Sequence, residues 1–122
     1  MWTVRVTALF EAWLFEQDED LQVDMAAALR ILATEGPQLG RPYVDTLKGA
    51  KLANLKELRV QSNGRPFRGF FVFDPQRNAI VLCAGNKKGQ DEKRFYKTMI
   101  ATAESEYAAY LEEGKQDANK NA

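Results

Sequence analysis

KELRVQSNGRPFRGFFVF, residues 56–73, holds two strands and the turn that joins them. Ser62-Asn63-Gly64 supplies the Asn-Gly pair that tolerates positive φ in a tight hairpin. The flanking segments are rich in phenylalanine and valine, which fit a pleated, half-buried surface. Side chains alternate along a strand, so Phe67, Gly69, Phe71 and Phe73 point one way and Arg68, Phe70 and Val72 the other. The same alternation sets Lys56, Leu58 and Val60 against Glu57, Arg59 and Gln61. Register is open at this level, so Arg59 and Arg68 are not assigned to one face. If they meet, Glu57 is placed to neutralise one of them. A hairpin that builds a core has no structural need for Lys56, Arg59, Arg65 and Arg68, and their presence asks for a second role.

Working outward, Asp74-Pro75-Gln76-Arg77-Asn78 reads as a proline-initiated turn into a third strand over 79–84, apolar throughout and so buried on both faces. The three strands form an antiparallel meander, with WTVRV at the start of the chain a short strand free to join its edge. TALFEAWLFEQ then switches to helical spacing. Asp18 or Asp20 caps a second helix with Leu21, Met25, Ala28, Leu29 and Leu32 on one stripe, stopped by Gly36-Pro37. Residues 36–54 carry three of the eight glycines and two of the four prolines and read as a loop pinned by Leu39, Tyr43, Val44 and Leu47. A last helix begins near Asp91, with Phe95, Met99, Ala103 and Tyr107 at helical spacing. The expected fold is α+β, a single domain over 1–112 in the order β-α-α-β-β-β-α, with a small antiparallel sheet packed by helices and a frayed polar tail over 113–122. A sheet covered on one face by helices offers its other face to a partner.

The chain has 122 residues, 45% hydrophobic and 28% charged, the balance of a globular domain large enough to bury a core. Cys83 is the only cysteine and there is no histidine, so internal disulfides and the usual zinc sites are excluded and no metal or cofactor is expected. Cys83 lies in AIVLCAG, where a small buried thiol is expected rather than a nucleophile. Without histidine, acid–base work falls to carboxylate, lysine, arginine or tyrosine. No basic segment leads into an apolar run, and nothing approaches the ~20 apolar residues of a membrane span, so the reading is cytoplasmic with no membrane partner.

Net charge is zero, yet residues 48–97 hold 12 basic and 4 acidic side chains, against 3 and 8 in residues 1–47 and 2 and 5 in residues 98–122. A cationic block suits a polyanion, because each phosphate neutralised releases counterions. GNKKGQDEKRFY adds Lys87, Lys88, Lys93, Arg94 and Tyr96 at the end of the third strand and the start of the last helix. Cations beside aromatic edges match the way proteins hold single-stranded RNA, by phosphate contact and base stacking.

LGRPYVDTLKG, LKELRV, GRPFRGFFVFDP and AGNKKG, in this order, resemble the RelE/HigB toxins of bacterial type II toxin–antitoxin systems, most closely their phage-derived HigB-like branch, over residues 2 to about 111. The resemblance implies a RelE-like fold and a ribosome-dependent endoribonuclease that cuts messenger RNA without a metal, by attack of the 2′-hydroxyl on the adjacent phosphate. It also implies an antitoxin partner of helix-turn-helix, HigA-like type, and contact with the ribosome. By the same resemblance Arg68, Lys87, Lys88 and Tyr96 are the catalytic candidates. Arg68 would stabilise the transition-state phosphate, and Lys87 or Lys88 would stabilise charge or protonate the leaving oxygen. Tyr96 would stack on a base or help activate the 2′-hydroxyl. Lys56, Arg59, Arg65, Lys93 and Arg94 are the RNA-binding candidates, and Glu57 with Arg59 is a pair that is structural or catalytic. The rival readings are a non-catalytic phage- or plasmid-derived RNA- or protein-binding module with the same fold, and a ribosome-independent RNA-binding protein.

Overall fold

Asn63 (φ 51°) and Gly64 (φ 73°) both take the positive φ of a tight hairpin turn, and the strands on either side pair from Ser62–Arg65 to Lys56–Phe71. The computed structural model describes residues 1–120. Its elements run β1 (Thr3–Val6), α1 (Ala8–Phe15), α2 (Glu19–Glu35), a 3₁₀ turn (Gly36–Gln38), β2 (Val44–Thr46), β3 (Lys56–Ser62), β4 (Arg65–Phe73), β5 (Asn78–Asn86) and α3 (Glu92–Lys120). The order is the α+β, RelE-like one expected. The sheet is five-stranded, β1-β5-β4-β3-β2.

The sheet differs from the expected one in two ways. It is mixed rather than wholly antiparallel, because β1 joins the free edge of the meander parallel to β5, Thr3 opposite Asn78 and Val6 opposite Val81. The loop over 36–54 also contributes a strand, β2, paired antiparallel to β3 from Val44–Leu58 to Thr46–Lys56. Three residues are too few to show a period of two, so only their pairing reveals them.

Thr7 Oγ1 accepts the Phe10 N–H at the start of α1 and its hydroxyl donates to Leu82 O, so one side chain caps a helix and ties it to the sheet. Asp18 is the cap of α2, its Oδ1 accepting from Leu21 N. Below these helices Phe10, Leu21, Met25 and Leu32 pack on Leu58, Val60, Phe67 and Phe71. The opposite face is not left open. Phe95 and Ala103 of α3 pack there on Phe70, Val72, Ile80 and Leu82. The stripe at helical spacing in the last helix is what covers the face expected to be free, because an apolar stripe and an apolar sheet face each need the other.

A bulge sharpens that packing: Phe70 pairs with Cys83 but Phe71 pairs with Val81, so Leu82 has no partner on β4. Leu82 and Cys83 thereby both enter the α3-side core. The Cys83 thiol donates to Met99 O at 3.7 Å, and burial pushes its pKa up to about 12, so it stays an inert thiol at neutral pH. The polar tail is helical as far as it is described, since α3 continues through Gly114 to Lys120. Residues 121 and 122 lie outside the described residues.

Gly36 ends α2 with φ 58° and ψ −143°, a region reserved for glycine. A β-carbon there would lie 2.5 Å from Trp2 Cδ1. Gly36→Ala is therefore expected to cost about 1–3 kcal/mol in strain, with further loss from displacing Trp2. Urea denaturation followed by tryptophan fluorescence reads both; an unchanged midpoint would refute the strain argument.

Candidate nucleic-acid interface

The register places Arg59 of β3 directly opposite Arg68 of β4. Two like charges across a ladder repel, and the sequence supplies the remedy two residues away. Glu57, on the same face and only 3% exposed, accepts a hydrogen bond from Arg59 Nε at 3.2 Å through Oε1. Its Oε2 lies 3.8 Å from Arg68 Nε. It thus answers both arginines rather than one. Its Oε2 also accepts a 2.6 Å hydrogen bond from the Tyr96 hydroxyl, which α3 delivers from its second turn.

Arg68 is 7% exposed, unusual for an arginine. Its Nη1 donates to Phe67 O at 2.9 Å, while its Nε–H has no hydrogen-bond partner among the described residues. A buried guanidinium with an unspent donor is a costly arrangement for stability alone. The nearby Glu57 carboxylate, 3.8 Å from that Nε, offsets part of the cost.

Burial pushes the Tyr96 phenol up to about 12, with the Glu57 hydrogen bond and its negative charge adding to the rise and Arg68 opposing it. At neutral pH Tyr96 is a donor. Its edge packs on Phe70 and Phe95, and Lys87 Nζ lies 5.4 Å over its ring. Lys87 extends the hairpin by donating its N–H to Pro66 O at 2.8 Å. Its ammonium meets Glu92 Oε1 at 2.6 Å, and that hydrogen bond holds the Glu92 carboxyl below its usual range.

Five of the expected residues, Glu57, Arg59, Arg68, Lys87 and Tyr96, thus converge where the sheet face emerges beyond the start of α3. Lys88, Lys93 and Arg94 lie exposed at its margin. Asn86 Oδ1 accepts from Lys88 N, and Asp91 Oδ1 caps α3 by accepting from Arg94 N, which fixes the backbone carrying these cations. Lys56 and Arg65 stand on the other face. Lys56 Nζ donates to Thr46 Oγ1 at 2.8 Å. Arg65 pairs with Asp18 at 2.7 Å and lies over the Phe67 ring, locking the hairpin onto the cap of α2.

Sequence reasoning missed two acidic members. Asp45 of β2 lies 3.7 Å from Arg59 and 2.7 Å from Arg41, and only the β2–β3 register reveals it. Glu92, in the first turn of α3, is the partner of Lys87. Among the described residues no group of three or more His, Cys, Asp or Glu is placed to hold a metal ion, and no helix is long and apolar enough to cross a membrane.

The fold and this cluster define a RelE-like α+β protein with a cationic, tyrosine-edged site. Residues 12–108 match the family described as phage-derived protein Gp49-like (DUF891), and the chain belongs to that family, within the HigB-like toxins. It is 42% identical over 111 residues to the Mycobacterium tuberculosis protein named "Putative toxin HigB2", covering 90% of this chain and 54% of that protein. It is 39% identical over 101 residues to "Putative toxin HigB3" of the same organism, covering 83% of this chain and 86% of that one. The chain thus spans about half the length of the first relative and most of the second.

Proposed function

We propose that the protein is the toxin of a type II toxin–antitoxin system and that it cleaves messenger RNA, on the ribosome, by intramolecular transesterification. The membership of a HigB-like family and the toxin names of both relatives support the first part. The observation that carries the second is the 2.6 Å hydrogen bond from Tyr96 to a buried carboxylate beside two arginines.

In this reading the 2′-hydroxyl donates to Tyr96 Oη, which passes its own proton to Glu57, so the phenol never ionises and its raised pKa is no obstacle. The 2′ oxygen then bonds to phosphorus and the bond to the 5′ oxygen breaks, leaving a 2′,3′-cyclic phosphate. Lys87 protonates the departing oxygen. The Arg68 and Arg59 guanidiniums, held side by side across the ladder, supply the positive charge for the phosphoryl oxygens, where fixed donors act most strongly. Lys88, Lys93 and Arg94 at the margin hold flanking phosphates. Lys56 and Arg65 serve the fold.

Primer extension on a defined mRNA, with and without translating ribosomes, tests this directly. Cuts within codons that require ribosomes are the expected result. Folded protein that leaves the message intact in both conditions would sink the nuclease reading and leave a binding module on a toxin fold.

Tyr96→Phe separates the hydroxyl from the ring. Cleavage should fall ~10²-fold or more, with RNA affinity nearly kept because the ring remains. Stability supplies a second readout. A phenol whose folded pKa lies above its ordinary value of 10 contributes stability that is intact below pH 10 and lost as pH rises toward about 12. The wild-type protein should lose more stability than Tyr96→Phe across that window. Equal losses in urea titrations at the two ends would show that the phenol is not held buried beside Glu57.

A further inference from the structure

Away from the cationic cluster, on the α1–α2 side of the molecule, lies a groove of about 230 Å³ between the two helices and the end of β1. Val6, Phe10, Leu14, Phe15 and Leu29 line it. Phe15 is 73% exposed at its lip and Val6 is 39% exposed. An aromatic side chain left this open beside an apolar groove is a feature of contact surfaces rather than of a finished core.

The charge along α1 and the start of α2 is mainly acidic, with Arg65 engaged by Asp18. Glu11 lines it, Glu16 follows Phe15, and Glu19 stands one turn before Gln22, which also lines it; all three acids are exposed. The cations of residues 1–47 are mostly engaged elsewhere: Arg5 Nε donates to Asn78 Oδ1 and Arg41 pairs with Asp45. Arg30 is the third. This acidic, apolar surface is the reverse of the basic site, so it suits a different partner.

We propose that this groove docks a basic, amphipathic segment of the antitoxin, with apolar side chains on Leu14, Phe15 and Leu29 and lysines or arginines on Glu11, Glu16 and Glu19. The proposal rests on the toxin–antitoxin reading and adds to it the surface and the chemistry of the contact. Groove docking of an amphipathic helix is a common recognition mode, with apolar anchors supplying affinity and the charged rim supplying orientation and on-rate.

Isothermal titration of the purified chain with the purified product of the reading frame adjacent to its gene tests it. Two variants change only exposed positions: Phe15→Ser with Glu11→Lys, and Glu16→Lys with Glu19→Lys. Thermal melts confirm that each stays folded. Each should weaken the complex ~10-fold or more, the charge-only pair losing its effect at high salt, while Arg68→Ala binds like the wild type. A complex that forms and ignores both groove variants would overturn this surface and leave the toxin–antitoxin reading standing. No complex with any form of the chain would overturn both together.

Discussion

Arg68→Ala is expected to slow RNA cleavage about 10²–10³-fold, the loss that follows removal of one fixed donor from a developing oxyanion. RNA binding should weaken far less, because Arg59, Lys87, Lys88, Lys93 and Arg94 still surround the phosphates. The salt dependence should change by about the share of a single cation. The fold should survive, since Glu57 keeps its bonds to Arg59 and Tyr96 and the repulsion across the Arg59–Arg68 pair disappears. Arg68→Lys should not rescue cleavage, because an ammonium cannot reproduce the planar guanidinium fork that bonds Phe67 O through Nη1 and lies beside Glu57 through Nε. Single-turnover cleavage together with a binding titration separates the outcomes. Equal losses in both would reduce Arg68 to a phosphate contact.

Glu57→Leu should have the largest effect on stability. Leucine is close in bulk, but it strips Arg59 Nε and Tyr96 Oη of their acceptor and leaves the buried Arg68 without a counter-charge. Breaking a buried ion pair from one side costs about 3–5 kcal/mol, which for a domain of this size lowers the melting temperature by ~10 °C or more. Glu57→Gln keeps one of the two acceptors and turns the other into a donor, and should cost about 1–3 kcal/mol, yet it should lose cleavage as severely as Tyr96→Phe, since an amide cannot take the relayed proton. The double variant Glu57→Leu with Arg68→Leu should recover part of the stability. If Glu57→Leu melts like the wild type, the carboxylate does not hold the cluster.

Much of the fold was legible in the hairpin. Asn63-Gly64 marked the turn and the alternation on either side marked two strands, while the register from Ser62–Arg65 to Lys56–Phe71 came from the structure. The stripes of α2 and α3 identified their buried faces, and the cap of α2 was narrowed to Asp18 or Asp20, of which the structure uses Asp18. The places where reading failed share one cause. β2 is too short for a pattern, and it exists because β3 offers it an edge. The open sheet face was expected because each apolar stripe was counted alone, whereas α3 needs that face as much as α1 and α2 need the other.

The site divides in the same way. The amino-acid sequence already established that any acid–base chemistry here would have to work without histidine, that the middle of the chain is cationic, and that Arg68 sits in an apolar strand where a surface charge has no reason to be. Tertiary structure alone decided which cations act together. Strand register brought Arg59 and Arg68 face to face, α3 carried Tyr96 across 39 positions of sequence to Glu57, and Lys56 and Arg65 came to lie on the hairpin's other face, beside Thr46 and Asp18. Periodicity is a property of neighbours along the chain and survives in the sequence. A counter-charge is a property of neighbours in space, and only packing determines which carboxylate a guanidinium will meet.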